Sequence, residues 1–478
     1  MKKGRFYEWE KAHDLLNKKN IDGFQYWNYM RRDMVMSFKD ELSQVEPAFY
    51  RQMKDQAREK FADKIKTALV FFSDLTPRRL PKTDILFLCH SRRQEIDGKM
   101  VSIYTDYVAD KFPGSVTIQV TGLGKYKSEK LYSKNLFFLD RISIFGYIYR
   151  YLNKYLSPKK YVLVHDQIKK EMEQPFKDLR DNYGFHPDIN EFADRTTILY
   201  YLYKYKRKKY ETMLRKMSPK VIVEVVGGSF DVQIFNEVAD ALHIPTVELQ
   251  HGTIRTTYPD NVRIRQFPDY FYSFGNFWNG QINLPIPDDH VVSMGYPYHD
   301  KMMEVYPLSK CQRDKNTVLF LSSRKYGKEF SELAVRISRL RPELKIIYKL
   351  HPREVDLYKE KYVELQNSDI EVIADNKTPL YDLFSRSSMQ VGVESTAIYE
   401  GMGFNLDTFI WDIPMAVSLL NLVESGYAKL FSDEKEFADL LEERGNDNCQ
   451  YDISDFWKEN SMENIVSGIK DIMRKKSI

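Results

Sequence analysis

Cysteine is scarce, with three in 478 residues, and Cys89, Cys311 and Cys449 stand far apart. That spacing excludes a disulfide framework and a cysteine metal cluster, and it points to a reducing, cytoplasmic compartment. A strong charge of one sign is missing too. Seventy-two Lys and Arg against 68 Asp and Glu leave a net +4, which disfavours nucleic acid as the partner while leaving room for local basic patches. Long hydrophobic runs are absent: the most apolar early stretch, Ala68 to Phe72, falls far below the roughly 20 residues that cross a bilayer. Met1 to Arg5 opens into polar sequence without the apolar core of a signal peptide. The expectation is a cytoplasmic chain whose only membrane contact is peripheral, at the cytoplasmic face. The patterns GxGxxG, GxxxxGK[ST], HExxH and GxSxG do not occur, which argues against nicotinamide dehydrogenases, P-loop NTPases, zincins and α/β-hydrolases.

What is present is a folding composition, 43% hydrophobic and 14% aromatic with 33 Tyr and 29 Phe. At roughly 150 residues per domain the length predicts two or three domains. The first eighty residues read as helical, with Phe24, Trp27, Met30, Met34 and Phe38 recurring at steps of three and four. From Asp84 short β-rich runs alternate with helical stretches: 85–89, 116–120, 136–139, 161–164, 221–226 and 245–249. After about residue 300 the alternation resumes with 318–321, 346–350, 370–373, 389–393 and 408–411. Such alternation implies an α/β protein with mostly parallel sheets covered on both faces. Two Rossmann-like domains facing a cleft are expected: a helical N-terminal extension over 1–82, an acceptor domain over 83–297 and a donor nucleotide-binding domain over 298–478. No repeat of solenoid length occurs.

In an open parallel sheet the ligand lies beyond the carboxyl ends of the strands, so residues just after each strand are the informative ones. In the first half these are His90-Ser91-Arg92-Arg93 with Asp97-Gly98, then Gly227-Gly228-Ser229, then Gln250-His251-Gly252-Thr253. His251 has the residue type to take a proton from a hydroxyl. Arg92, Arg93, Asp97, Gly98, Gly227 and Gly228 are candidates to bind an acidic acceptor, although an ordinary βα turn explains the glycine pair equally well. The second half offers Ser322-Ser323-Arg324, His351-Pro352-Arg353 and Glu394-Ser395-Thr396, with Glu400 one turn later. Hydroxyls, cations and a helix start suit phosphate oxygens, and Glu400 suits ribose hydroxyls. Ser395 or Thr396 as a plain helix cap is the competing account.

The order Gln250-His251-Gly252-Thr253, Gly295-Tyr296-Pro297-Tyr298-His299-Asp300, His351-Pro352 and Glu394-Ser395-Thr396 resembles the GT-B glycosyltransferases that build bacterial surface polymers. The CDP-glycerol glycerophosphotransferases of teichoic acid synthesis are the nearest of these, and the His-Pro plus Ser-Thr pairing is similar to that of bacterial sialyl- and Kdo-transferases. The resemblance spans about residues 84 to 412. It implies a general base at His251 and donor ligands at His351, Ser395 and Thr396. Three departures stand out. Tyr298 and His299 replace Arg-Asn of the GYPRND-type motif; the paired-acid-then-Gly motif ahead of His351 is missing, with Asp97-Gly98 only a distant candidate; and Gly392 occupies the position eight before Glu400, so the two-glutamate signature of many retaining enzymes is not met. Inversion is therefore favoured.

The resulting expectation is transfer from a nucleotide-activated donor, CMP- or CDP-linked ahead of UDP-linked, to a growing surface or capsular polysaccharide or a lipid-linked acceptor. Ser322, Ser323, Arg324, His351, Pro352, Ser395, Thr396 and Glu400 hold the donor in this reading. No cofactor or metal is called for, because no DxD follows a strand. A sugar-nucleotide 2-epimerase is the alternative enzyme. A nonenzymatic component of a surface-polymer assembly complex, docking through the basic tyrosine-rich helix Tyr200 to Tyr210, is the alternative of another class. That helix reads first as a solvated helix whose tyrosines cover the domain and second as a membrane-surface contact.

Overall fold

The computed structural model describes residues 3–17, 21–42, 80–120, 126, 129–253, 263–311, 313–443 and 451–476. The apolar run 68–72 and Cys449 fall outside them, as does the side chain of Phe38. Two compact units divide the chain. The first comprises Met1–Ser273, Asn279–Ser293 and Met462–Ile478, and the second Phe274–Trp278 and Met294–Ser461.

The first unit holds a seven-stranded sheet: β1 (Ile85–Leu88), β4 (Val116–Gln119), β5 (Leu136–Phe138), β6 (Val221–Glu224), β7 (Thr246–Leu249), β8 (Tyr270–Ser273) and β9 (Val291–Ser293). Its order is β5-β4-β1-β6-β7-β8-β9, parallel throughout. A separate hairpin pairs β2 (Gln94–Ile96) with β3 (Lys99–Val101). β1, β4, β6 and β7 are buried at every residue; β1 and most of β6 accordingly read as unbroken apolar runs, whereas β4 and β7 bury polar side chains as well. The second unit holds β10 (Thr317–Leu321), β11 (Lys345–Lys349), β12 (Glu371–Ile373), β13 (Met389–Gly392), β14 (Asp407–Trp411) and β15 (Lys429–Phe431), again parallel, in the order β12-β11-β10-β13-β14-β15. Renumbered within the unit this is 3-2-1-4-5-6, the doubly-wound Rossmann order, and the first sheet follows the same order with one strand added. The expected α/β class with two Rossmann-like sheets is the one observed. The order reverses between β1 and β6 in one sheet and between β10 and β13 in the other, which marks where each sheet opens to a ligand.

One helical segment differs from expectation. Tyr161-Val162-Leu163-Val164 lies inside the helix Pro158–Tyr183 and is not a strand. Pro158 starts that helix without losing a needed N–H, and Val164, Ile168, Met172, Phe176 and Leu179 form one buried stripe that overrides the local β propensity. The tyrosine-rich run lies in the helix Ile189–Met217, where Tyr200, Tyr201, Tyr203 and Tyr210 are buried. Its cations are largely taken up by acids: Lys206 Nζ meets Asp231 at 2.6 Å and Arg207 Nε meets Glu237 at 3.1 Å. The run thus packs its tyrosines into the domain while Lys208 and Lys209 stay exposed.

The aromatic stripe of the N-terminal segment also joins the core of the first unit, with Phe24, Trp27, Met30 and Met34 buried. Trp27 Nε1 donates to Glu10 at 2.6 Å and Arg31 pairs with the same carboxylate at 2.6 Å, so the buried charge there is matched. No helix among the described residues is long and apolar enough to cross a membrane.

Candidate functional site

In the second unit the reversal between β10 and β13 is bridged by one hydrogen bond. Ser323 Oγ, two residues past β10, donates to Glu394 Oε1, two residues past β13, at 3.1 Å. Burial pushes the Glu394 carboxyl upward, with the Ser323 bond and Lys325 acting the other way. Ser322 is buried, and its hydroxyl accepts a bond from Tyr348 at 3.2 Å. The neighbouring β11 contributes Lys349, whose ammonium donates to the Asp375 carbonyl, and His351, whose Nδ1 accepts the Arg353 N–H at 3.2 Å. Pro352 and Arg324 are exposed beside these groups. Ser395 Oγ accepts the Ala397 N–H at 3.1 Å and so caps the short helix Thr396–Met402. Thr396 is its first residue and Glu400 lies one turn on. Burial pushes the Glu400 carboxyl up to about 7, with Tyr381 opposing. Lys349 was not anticipated from sequence; its signal was a cation at the last position of a strand with a buried apolar centre.

In the first unit the ends of β1 and β7 meet. The His90 and His251 ring centroids are 5.7 Å apart, and Tyr104 stands edge-on to His251 at 6.1 Å. His251 Nδ1 is sealed from water without a hydrogen-bond partner. Burial first, and then His90, Arg32 and Arg92, hold the ring down to about 4. His251 is therefore a neutral imidazole at physiological pH, not the group titrating near neutrality that its residue type suggests. His90 Nδ1 accepts the Arg92 N–H at 2.8 Å, the same local turn that His351 makes with Arg353.

Beside them, Glu224 is the last residue of β6 and Glu248 the last but one of β7. The Gly227 N–H donates to Glu248 Oε1 at 2.9 Å and Asn236 donates to Glu224 Oε1 at 2.9 Å, while Glu224 Oε2 has no partner. A Cβ on Gly227 would lie 2.3 Å from Glu248 Oε2, so a larger residue there would displace the Glu248 carboxylate. Val226, just before it, sits at φ +67, a left-handed conformation costly for a β-branched residue. Strain of this kind clusters where structure serves a site. Gly228 is open on this side, with Arg32 Nη1 3.8 Å from where its Cβ would be. Glu248, Arg32 and Tyr104 escaped the sequence reading, although an acid near the end of each of two adjacent buried strands was a visible sign.

The geometry commits four of the expected features to structural partners. Arg93 is buried, donating to Asp106 at 2.9 Å and to Gln119 Oε1 at 3.0 Å, with both charged side chains out of water. Its guanidinium is committed to the interior and leaves Arg92 as the exposed cation of the pair. Asp97 and Gly98, at φ +51 and +67, form the two-residue turn of the β2–β3 hairpin, the standard use of Asp-Gly. The Gly295 to Asp300 motif is structural: a Cβ on Gly295 would strike the Lys458 carbonyl at 2.2 Å, His299 stacks on Trp457 at 4.4 Å, and Asp300 accepts the Ser461 N–H at 2.9 Å. Gly227 likewise spends its N–H on Glu248, not on a ligand.

No protein-family model matches the chain, and no curated protein does. Solved structures to which it is similar include the UDP-GlcNAc 2-epimerase of Methanocaldococcus jannaschii, at 13% identity over 82% of this chain and 99% of that one, with a TM-score of 0.49. MurG of Acinetobacter baumannii matches at 10% identity over 83% and 100%, with a TM-score of 0.44. The spinosyn rhamnosyltransferase SpnG, complexed with spinosyn aglycone, matches at 10% over 82% and 97%, with a TM-score of 0.42. At such values these likenesses carry no argument, and the fold class rests on the two strand orders.

Proposed function

We propose that the chain is a transferase moving a glycosyl or glycerophosphoryl group from a nucleotide-activated donor to a hydroxyl of a surface-polysaccharide or lipid-linked acceptor. The observation that carries this reading is the Ser323–Glu394 bond across the β10/β13 reversal, because hydroxyl, imidazole and ammonium groups converge where an open α/β sheet takes its ligand. In this reading the nucleotide, CMP or CDP ahead of UDP, lies against the second unit. Ser322, Ser323, His351 and the exposed Arg324 meet its phosphates, and Glu400 meets the ribose. His251 takes the proton as the acceptor oxygen bonds to the activated centre and the bond to the leaving phosphate breaks; a single displacement of this kind inverts a sugar carbon. The leaving charge is met by fixed hydroxyls and cations, so no divalent ion is assigned.

One observation favours a second reading. Glu224 and Glu248 stand close together in the unit that holds His251, and so many acid–base groups exceed what one deprotonation needs. An epimerase, which removes and returns a proton on opposite faces of one sugar, would use them.

The test is to screen CMP, CDP, UDP and GDP for thermal stabilisation, where a ligand at 100 times its dissociation constant adds about 2.7 kcal/mol. The matching donors are then incubated with and without acceptor extracts. Free nucleotide released only with acceptor supports transfer, while an altered sugar still attached to its nucleotide supports epimerisation. Neither binding nor turnover ends the enzyme reading and leaves the assembly component.

A further inference from the structure

Of the thirteen large apolar side chains that stand exposed among the described residues, eight lie between positions 147 and 163. They belong to the helix Asp140–Leu156 and the start of the helix Pro158–Tyr183, joined at Ser157. The inner face of the first helix is fixed: Gly146 lets Leu202 and Tyr205 approach, and Tyr149 packs on Tyr205 at 5.6 Å. The opposite face carries Tyr151, Leu152, Tyr155 and Leu156 at helical spacing, and the turn adds Val162 and Leu163. Leu156 is 75% exposed and Leu163 is 67% exposed. A monomeric surface seldom keeps so contiguous an apolar stripe without a use.

Charge decides the use. From Arg141 to His165 the chain contains Arg141, Arg150, Lys154, Lys159 and Lys160 and not one Asp or Glu. Lys154, Lys159 and Lys160 are exposed around the same turn. Leucines flanked by tyrosines, which keep a polar tip in the headgroup layer, and ringed by lysines make an interfacial surface for anionic lipid. A second copy of this chain is disfavoured, because a two-fold contact sets the same patch against itself and would oppose cation to cation. We propose that this helical elbow docks the protein on an anionic membrane surface, with Leu152, Leu156 and Leu163 entering the headgroup boundary and Lys154, Lys159 and Lys160 meeting lipid phosphates. This inference stands independently of the transfer reading.

Flotation of the full chain with vesicles tests it. Binding is expected to phosphatidylcholine vesicles containing phosphatidylglycerol, to weaken at high salt, and to be lost with phosphatidylcholine alone. Leu152→Glu with Leu156→Glu should reduce binding at least tenfold. Each lysine near the surface contributes on the order of fivefold, so Lys159→Glu with Lys160→Glu should reduce it by more than an order of magnitude, and this pair serves as the second variant should the leucine pair misfold. Equal binding to neutral vesicles, no binding to anionic ones, or unchanged binding by folded variants overturns the proposal. So does concentration-dependent dimerisation in light scattering that the leucine substitutions abolish, since the patch would then be covered by a second copy.

Discussion

Glu224 and Glu248 are register partners on adjacent parallel strands, and a methyl at Gly227 would lie within 3.0 Å of an oxygen from each. Burial lifts both carboxyls, Glu248 to about 7 against the opposing Gly227 N–H and Arg32, and Glu224 well above its ordinary range with the Glu248 charge adding to burial. A carboxyl raised in the fold holds a proton that the unfolded chain releases, so its contribution favours folding at low pH and is lost as pH rises from about 4.5 through the folded value. Glu224→Gln keeps the shape without the charge. The melting temperature of this variant relative to wild type should rise between about pH 5 and about pH 8, as followed by calorimetry; a difference constant with pH would show that the pair does not titrate in this way.

For His251 the expected outcome of substitution by alanine is a fall of roughly 100- to 10,000-fold in acceptor-dependent transfer with donor affinity unchanged. Since its ring is held down to about 4, the basic form is present throughout the neutral range. The wild-type rate should stay flat on its account near pH 7 and fall only as pH drops towards 4, and the variant should lack that acid limb. Near-wild-type transfer by the folded variant would remove His251 from the mechanism.

Arg92 and Arg93 should separate cleanly. Arg93→Ala leaves Asp106 buried and unmatched and should cost about 3–5 kcal/mol in denaturant unfolding. Arg92→Ala should change stability by no more than about 0.5 kcal/mol while raising the acceptor KM. Equal stabilities would mean that the Arg93–Asp106 pair is not sealed.

Ser395 already has a job as a cap. Ser395→Ala with Thr396→Ala should therefore cost roughly 0.5–2 kcal/mol and also weaken nucleotide binding, measured by titration calorimetry on the folded protein. Lost stability with unchanged affinity would assign both residues to the helix alone.

Donor turnover should survive EDTA. A complete loss restored by magnesium or manganese would show that the leaving phosphate is stabilised by a metal ion.

The strands were legible because they are buried on both faces: Ile85 to Leu88 and Val318 to Leu321 cannot be read as anything but apolar runs bounded by polar residues. The candidate site was legible where position after a strand is enough, as for His251, Ser323 and Glu394. It was illegible where role depends on a distant partner. Arg92 and Arg93 are adjacent and alike in sequence, and only Asp106 and Gln119 decide which of them is buried. Tyr161 to Val164 misled for the same reason, since a helix's inward face is chosen by what packs against it.

By itself, then, the sequence determined the α/β class and the two parallel sheets, because burial on both faces leaves a local, one-dimensional signature. The tertiary structure alone decided that Gly295 to Asp300 packs as scaffolding, that the His251 ring is held neutral, that two glutamates share a buried corner, and that the exposed apolar face lies at 147–163. Each of these depends on desolvation or charge pairing between residues tens to hundreds of positions apart, and a linear pattern does not carry those distances.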